Sequence, residues 1–76
     1  MTPNSAAVNN AVHTAYVDAQ EWIRDHPQAL SGAVARAAYD CGFHRCYNVG
    51  SRLLAIYRQK FETVWLQWRL HGRFIL

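Results

Sequence analysis

The segment from Arg45 to His71 constrains the fold more than any other part of the chain. On a helix of about 3.6 residues per turn, its large apolar side chains fall on one wide arc. That arc contains Val49, Leu53, Leu54, Tyr57, Phe61, Val64, Trp65 and Trp68. The opposite arc contains Arg45, Asn48, Arg52, Gln59, Glu62, Arg69 and Arg73, interrupted by Ala55 and Leu66. One helix is therefore predicted to supply both a core face and most of the positive charge.

Charge is distributed unevenly along the 76 residues, whose formal net charge is +3. Residues 1–26 carry three carboxylates against Arg24, a net of −2. Residues 44–76 carry five arginines and Lys60 against Glu62, a net of +5. Arginine makes bidentate contacts with phosphate and carboxylate groups, so this half indicates a nucleic acid or an acidic protein surface as partner. The alternative is that the charge only keeps a small apolar protein soluble.

Two further helices are predicted before the basic segment. An apolar stripe from Val8 to Ile23 indicates a helix over residues 5–25. Pro27 ends that helix and fits the first turn of the next, which is predicted over residues 27–41, with Ser31 as an alternative start. Gly42 is expected to be a left-handed C-terminal cap. The third helix is predicted over residues 45–71, with a start near Ser51 as the alternative and Gly72 as its cap.

These elements predict an all-α fold, a single small domain of three antiparallel helices over residues 1–76. Residues 1–4 are expected to be a frayed N-terminus and residues 73–76 an apolar C-terminal tail. The predicted core consists of Val12, Tyr16, Ile23, Leu30, Val34, Ala38, Leu53, Tyr57, Val64 and Trp68.

The stretch from Val34 to Phe43, VARAAYDCGF, has the small alanine and the glycine that a helix-turn-helix requires. Over residues 34–57 the chain resembles the second helix-turn-helix of AraC-type transcription activators. The matching positions are Val34, Ala38, Tyr39, Gly42 and Phe43, with Val49, Leu53 and Tyr57 in the following helix. The resemblance implies that His44, Arg45, Tyr47 and Asn48 reach bases and phosphates.

The chain departs from that family at three positions. Ser51 stands where the family has an arginine, and Val49 and Leu53 stand in phenylalanine positions. The activators also carry two such units, whereas this chain has one. A plain helical hairpin is the alternative interpretation of the same residues.

Metal and catalytic chemistry receive little support from the sequence. Cys41, His44 and Cys46, with His26 or His71 as a fourth ligand, lack the two close pairs that zinc usually requires. There is no glycine-rich phosphate loop and no nucleophile elbow, and a three-helix domain of this size offers little concavity. We therefore expect a protein that is not an enzyme, with no cofactor and no small-molecule substrate.

Aromatic residues near the arginines of the third predicted helix are candidates for stacking on bases or anchoring a protein interface. Trp68 lies in the middle of the apolar arc and is expected in the core, whereas Trp65 lies at its edge and is the better interface candidate. The predicted binding residues are Arg45, Asn48, Arg52, Arg58, Trp65, Arg69 and Arg73.

The leading functional hypothesis is a small regulatory module that binds nucleic acid through the basic face of the third helix. The rival is an inhibitor or adaptor that docks on a larger protein, similar in size and style to phage-encoded inhibitors such as anti-CRISPR proteins. Leu66 and the apolar tail also predict a homodimer. The alternative is a tail that folds back over Trp65 and closes the core of a monomer. No run approaches the ~18 apolar residues of a membrane span, and two cysteines five residues apart fit a reducing cytoplasm.

Overall fold

The computed structural model describes residues 4–75 of the chain. It contains three α-helices: α1 spans Ser5–Asp25, α2 spans Ser31–His44 and α3 spans Arg52–His71. No strand occurs within residues 4–75, and the helices pack against one another. The predicted all-α bundle of three helices is confirmed.

The first helix has the predicted bounds. The Asn4 side chain caps it, because its Oδ1 accepts a hydrogen bond from the Ala7 N–H at 2.8 Å. Its inward face is made of Ala11, Ala15 and Ala19, which are completely buried. Such small side chains give high helix propensity and let a neighbouring helix approach closely.

The second helix begins at Ser31, in agreement with the alternative start, and ends at His44, so the predicted range of 27–41 is wrong at both ends. The chain turns at Pro27 and Gln28, where the Ala29 N–H donates to the His26 carbonyl at 3.1 Å. Leu30 then occupies the N-cap position with an extended backbone. Its side chain is 72% exposed, which corrects its predicted place in the core.

Gly42 lies inside α2 and does not cap it, contrary to the sequence prediction. A Cβ atom there would lie 2.5 Å from Leu54 Cδ1 and 3.0 Å from Tyr57 Cδ1. The absence of a side chain at Gly42 therefore allows α2 to pack closely against α3. Positive φ angles occur instead at Cys46 and Gly50, in the connection between these two helices.

The third helix starts at Arg52, because the Ser51 Oγ accepts a hydrogen bond from the Leu54 N–H at 3.2 Å. The alternative start near Ser51 is thus confirmed over the start at Arg45. Gly72 ends the helix with a φ of 70°, as predicted, and its N–H donates to the Trp68 carbonyl at 2.7 Å.

Contacts between side chains define how the helices run. Asp18 meets Tyr57 and Trp22 meets Phe61, so α1 and α3 run in the same direction. Gly42 approaches Leu54 while Tyr39 contacts Arg58, so α2 runs antiparallel to α3. Among the predicted core residues, Ile23, Val34, Ala38, Tyr57 and Val64 are buried, whereas Val12, Tyr16, Leu53 and Trp68 are half-buried.

The tail folds back onto the bundle. The Phe74 ring stacks on Trp68 with 6.4 Å between centroids, and the Arg24 guanidinium carbon lies 5.4 Å from the Phe74 centroid. Phe74 and Ile75 are both half-buried, so the tail contributes to the monomer's own packing. Leu76 and residues 1–3, which belong to the predicted tail and frayed N-terminus, lie outside the described residues.

Candidate interaction surface on the third helix

The outward face of α3 is uncharged along most of its length. We define the outer strip as the residues opposite the buried Tyr57 and Phe61: Ile56, Gln59, Thr63, Leu66 and Leu70. Leu66 is 50% exposed and Leu70 is 75% exposed. The basic face predicted for this helix is therefore divided, with its cations at the edges and ends of the strip.

Two arginines lie on the side of α3 that faces α2, and we call Arg58 and Arg69 the arginine flank. The Arg58 guanidinium carbon lies 5.3 Å from the Tyr39 ring centroid, and that of Arg69 lies 5.3 Å from the Trp65 ring centroid. Neither arginine is in an ion pair with any residue of 4–75. A cation held over an aromatic face can still donate its exposed N–H groups to a ligand.

The structure reverses the predicted roles of two tryptophans. Trp65 is only 8% exposed and belongs to the buried cluster, whereas Trp68 is half-buried and partly covered by the tail. The Arg69 guanidinium lies over the ring of Trp65, which belongs to the same buried cluster as Phe61 and Val64. Trp65 Nε1 and Arg58 Nε are both buried without a hydrogen-bond partner in the described structure.

Arg45 binds another residue of the same chain, Asp18. Its Nε donates to Asp18 Oδ2 at 2.9 Å and its Nη2 donates to Asp18 Oδ1 at 2.6 Å. The Tyr57 hydroxyl donates to the same Asp18 Oδ2 at 2.5 Å. This network attaches the connection between α2 and α3 to α1, so Arg45 acts as a bridge inside the molecule.

The protonation states of this network follow from its geometry. Burial alone would raise the pKa of the Asp18 carboxyl, but hydrogen bonds from Arg45 and Tyr57 and the Arg45 charge lower it below its usual value. Burial, and then the hydrogen bond to Asp18, raise the pKa of the Tyr57 phenol. At neutral pH the carboxylate therefore accepts from a protonated phenol and a charged guanidinium.

The remaining predicted binding residues are spread along the molecule. Asn48 is exposed in the connection before α3, and its carbonyl accepts from the Ser51 N–H at 3.0 Å. Arg52 opens α3 and Arg73 follows its cap, and both are exposed without an ion pair among residues 4–75. The structure thus leaves Arg52, Arg58, Arg69 and Arg73 as cations that border α3.

Two aromatic residues of α2 add to this surface and were not among the predicted binding residues. Tyr39 lies under Arg58, and Phe43, one turn later, is 57% exposed. Their spacing of four residues places both on the same side of α2. Both residues are matching positions of the AraC resemblance, which implies base and phosphate contacts only for the residues that follow them.

The loop residues implied by the AraC resemblance do not lie at the start of α3. His44 ends α2, Arg45 is bound to Asp18, and Tyr47 packs on Tyr57 with 5.6 Å between ring centroids. The turn of this hairpin occupies residues 45–51, where the family pattern expects a tight turn at Gly42. The relation of residues 34–57 to the AraC-type helix-turn-helix therefore stays a hypothesis that rests on the sequence resemblance.

The structure also places the cysteine and histidine residues that were considered as metal ligands. Among residues 4–75, no three histidine, cysteine or acidic side chains are grouped closely enough to hold a metal ion. Both Cys41 and Cys46 are free thiols. Burial, with the negative charges of Asp18 and Asp40, raises the pKa of the Cys41 thiol, which disfavours the nucleophilic thiolate.

No known protein family, curated protein or solved structure matches this chain. Within the described residues, none of the three helices has the length and apolar character needed to cross a membrane.

Proposed function

We propose that this protein is a non-enzymatic binding module that contacts the phosphate backbone of nucleic acid through the arginines bordering α3. The observation that carries the proposal is the arginine flank. Arg58 and Arg69 are each held over an aromatic ring, and neither is neutralised by an acidic residue of the described chain. Guanidinium groups fixed in this way lose little conformational freedom when they bind a phosphate.

The surroundings of the flank support the same ligand. Arg52 and Arg73 extend the positive charge to both ends of α3, a length of about 30 Å for a 20-residue helix. Phe43 offers an exposed ring beside Tyr39 for stacking on an unpaired base. Glu62 is the one acidic residue in α3, so the region keeps a net positive charge.

The test is fluorescence anisotropy with a labelled DNA duplex, a single-stranded DNA and a single-stranded RNA. We expect binding at ~50 mM salt that weakens steeply by ~200 mM, because each neutralised phosphate releases counterions. Replacing Arg58 by Gln should lower both the affinity and the slope of log K against log salt, by about 0.7–0.9 for one lost phosphate contact.

Arg36→Gln is the matched control for this experiment. Arg36 is equally cationic, but it lies on α2 in an exposed pair with Asp40 at 3.2 Å. Its loss should leave the salt slope unchanged. If no probe binds at low salt, or if both variants behave alike, the proposal fails.

Docking on a larger protein is the second candidate, and the exposed Phe43 beside the arginine flank favours it. Arginine and aromatic side chains are the usual anchors of protein interfaces. We infer that such a partner would be retained from nuclease-treated lysate at ~0.5 M salt, where contacts between exposed charges are screened. Phe43→Ser should abolish that retention, whereas nucleic-acid binding through phosphates should survive the change.

A further inference from the structure

The outer strip has the spacing of a coiled-coil seam. Its five residues are separated alternately by three and four positions, which places Ile56, Thr63 and Leu70 at a positions and Gln59 and Leu66 at d positions of a heptad. The seam extends over about 21 Å of helix. It faces away from the core, and its two leucines are at least half exposed.

Opposite charges border one edge of this seam. Glu62 and Arg69 both occupy g positions, and neither is in an ion pair with any residue of 4–75. They are two turns apart, about 10 Å along the helix, so they cannot pair within one copy. In an antiparallel pair of helices, however, g positions of one helix face g positions of the other.

We propose that the outer strip is the interface of a homodimer in which α3 packs antiparallel on α3 of a second copy. Glu62 of each copy then meets Arg69 of the other, and the two-fold axis makes this contact twice. The axis crosses the helices between Val64 and Trp65, which brings the two Leu66 side chains into adjacent layers. Apolar contact at the centre is thus flanked by two symmetric ion pairs.

A parallel arrangement of the same seam is unfavourable for a simple electrostatic reason. It would bring Arg52 next to Arg52 of the second copy and would leave no acidic residue opposite Arg69. Like charges at equivalent positions repel, and specificity in such interfaces depends on charge pairing at the edges. Self-complementary charge therefore selects the antiparallel orientation.

The tail and three of the four arginines proposed to contact phosphate lie outside this homodimer interface. Arg52, Arg58 and Arg73 stay available on both copies, whereas Arg69 is used in the interface. Phe74 packs within its own copy and is not needed in the interface. The dimer is measured with protein alone, so its failure would be distinct from a failure to bind nucleic acid.

The experiment is sedimentation of the full chain with exchanged charges. We expect a wild-type dimer at ~100 μM, where an interface of micromolar affinity is mostly occupied. Glu62→Arg and Arg69→Glu should each weaken the dimer by about tenfold or more, because both pairs become repulsions. The double exchange should restore the dimer, which also shows that Arg69→Glu did not act by unfolding the chain.

Substitution of an apolar residue of the outer strip tests the dimer independently of the charge exchanges. Leu66→Gln should weaken the dimer, whereas Leu30→Gln, at a residue that is 72% exposed but lies outside the strip, should not. A wild-type monomer at ~100 μM would overturn the proposal. So would a dimer that tolerates both single charge exchanges, or one that the double exchange fails to restore.

Discussion

The side chains of Arg45 and Asp18, 27 residues apart in the sequence, meet in a bidentate ion pair with contacts of 2.6 and 2.9 Å. The Asp18 side chain is only 13% exposed, whereas that of Arg45 is 46% exposed. Tyr57 adds a third hydrogen bond from α3 to the same carboxylate. One carboxylate of α1 thus holds both the connection after α2 and the helix that follows it.

We expect Asp18→Asn to lower the free energy of unfolding by about 1–3 kcal/mol, because a charged acceptor of three hydrogen bonds is lost. The matched control is Asp40→Asn, which breaks an exposed pair with Arg36 whose side chains are 50% and 80% exposed. That change should cost at most about 0.5 kcal/mol. Urea unfolding followed by circular dichroism measures both, and equal effects would contradict the role given to Asp18.

The same network should produce acid sensitivity. Because Arg45 and Tyr57 lower the pKa of Asp18, its contribution to stability is fully present above the unfolded-state pKa of about 3.9. That contribution declines as the pH falls through the lower pKa of the folded state. The difference in unfolding free energy between wild type and Asp18→Asn should be constant from pH 6 to 8 and shrink below about pH 4. A difference that shrinks already near neutral pH would argue against this assignment.

Gly42 provides a test of helix packing. Gly42→Ala should destabilise the protein by about 1–2 kcal/mol, because the new methyl group must displace the buried Leu54 and meets the Tyr57 ring. Gly32→Ala is the control on the same helix, since a Cβ there meets no atom within 4 Å. That change should be neutral or stabilising by up to about 1 kcal/mol. Thermal unfolding distinguishes the two, and a stabilising Gly42→Ala would contradict the close approach.

Gly42 also shows where sequence reasoning reaches its limit. The apolar stripe of α1 and the glycine at position 72 are local signals, and they predicted the bounds of α1 and the end of α3. A glycine required by a neighbouring helix has the same local appearance as a glycine required by a turn. Its role depends on Leu54 and Tyr57, which the sequence does not place beside it.

The candidate interaction surface was predictable only in part for a related reason. The sequence indicated that Arg52, Arg58, Arg69 and Arg73 belong to one basic region, and the structure arranges them along α3. The sequence could not indicate that Arg45 would bind Asp18, because that contact joins segments that are distant along the chain. Arg58 lies over Tyr39 and Arg24 lies over Phe74 through contacts that are also long-range. Only the tertiary structure shows these contacts.

The tail provides the last prediction. Phe74 stacks on Trp68 and is half-buried, so Phe74→Ala should lower the free energy of unfolding by about 1–2 kcal/mol through lost apolar burial. It should also shift tryptophan emission to longer wavelength, because Trp68 gains solvent contact. Leu30→Ala, at a residue that is 72% exposed, is the control and should change neither quantity. If Phe74→Ala left stability and emission unchanged but dissociated the dimer, the tail would belong to the interface and not to the fold of one copy.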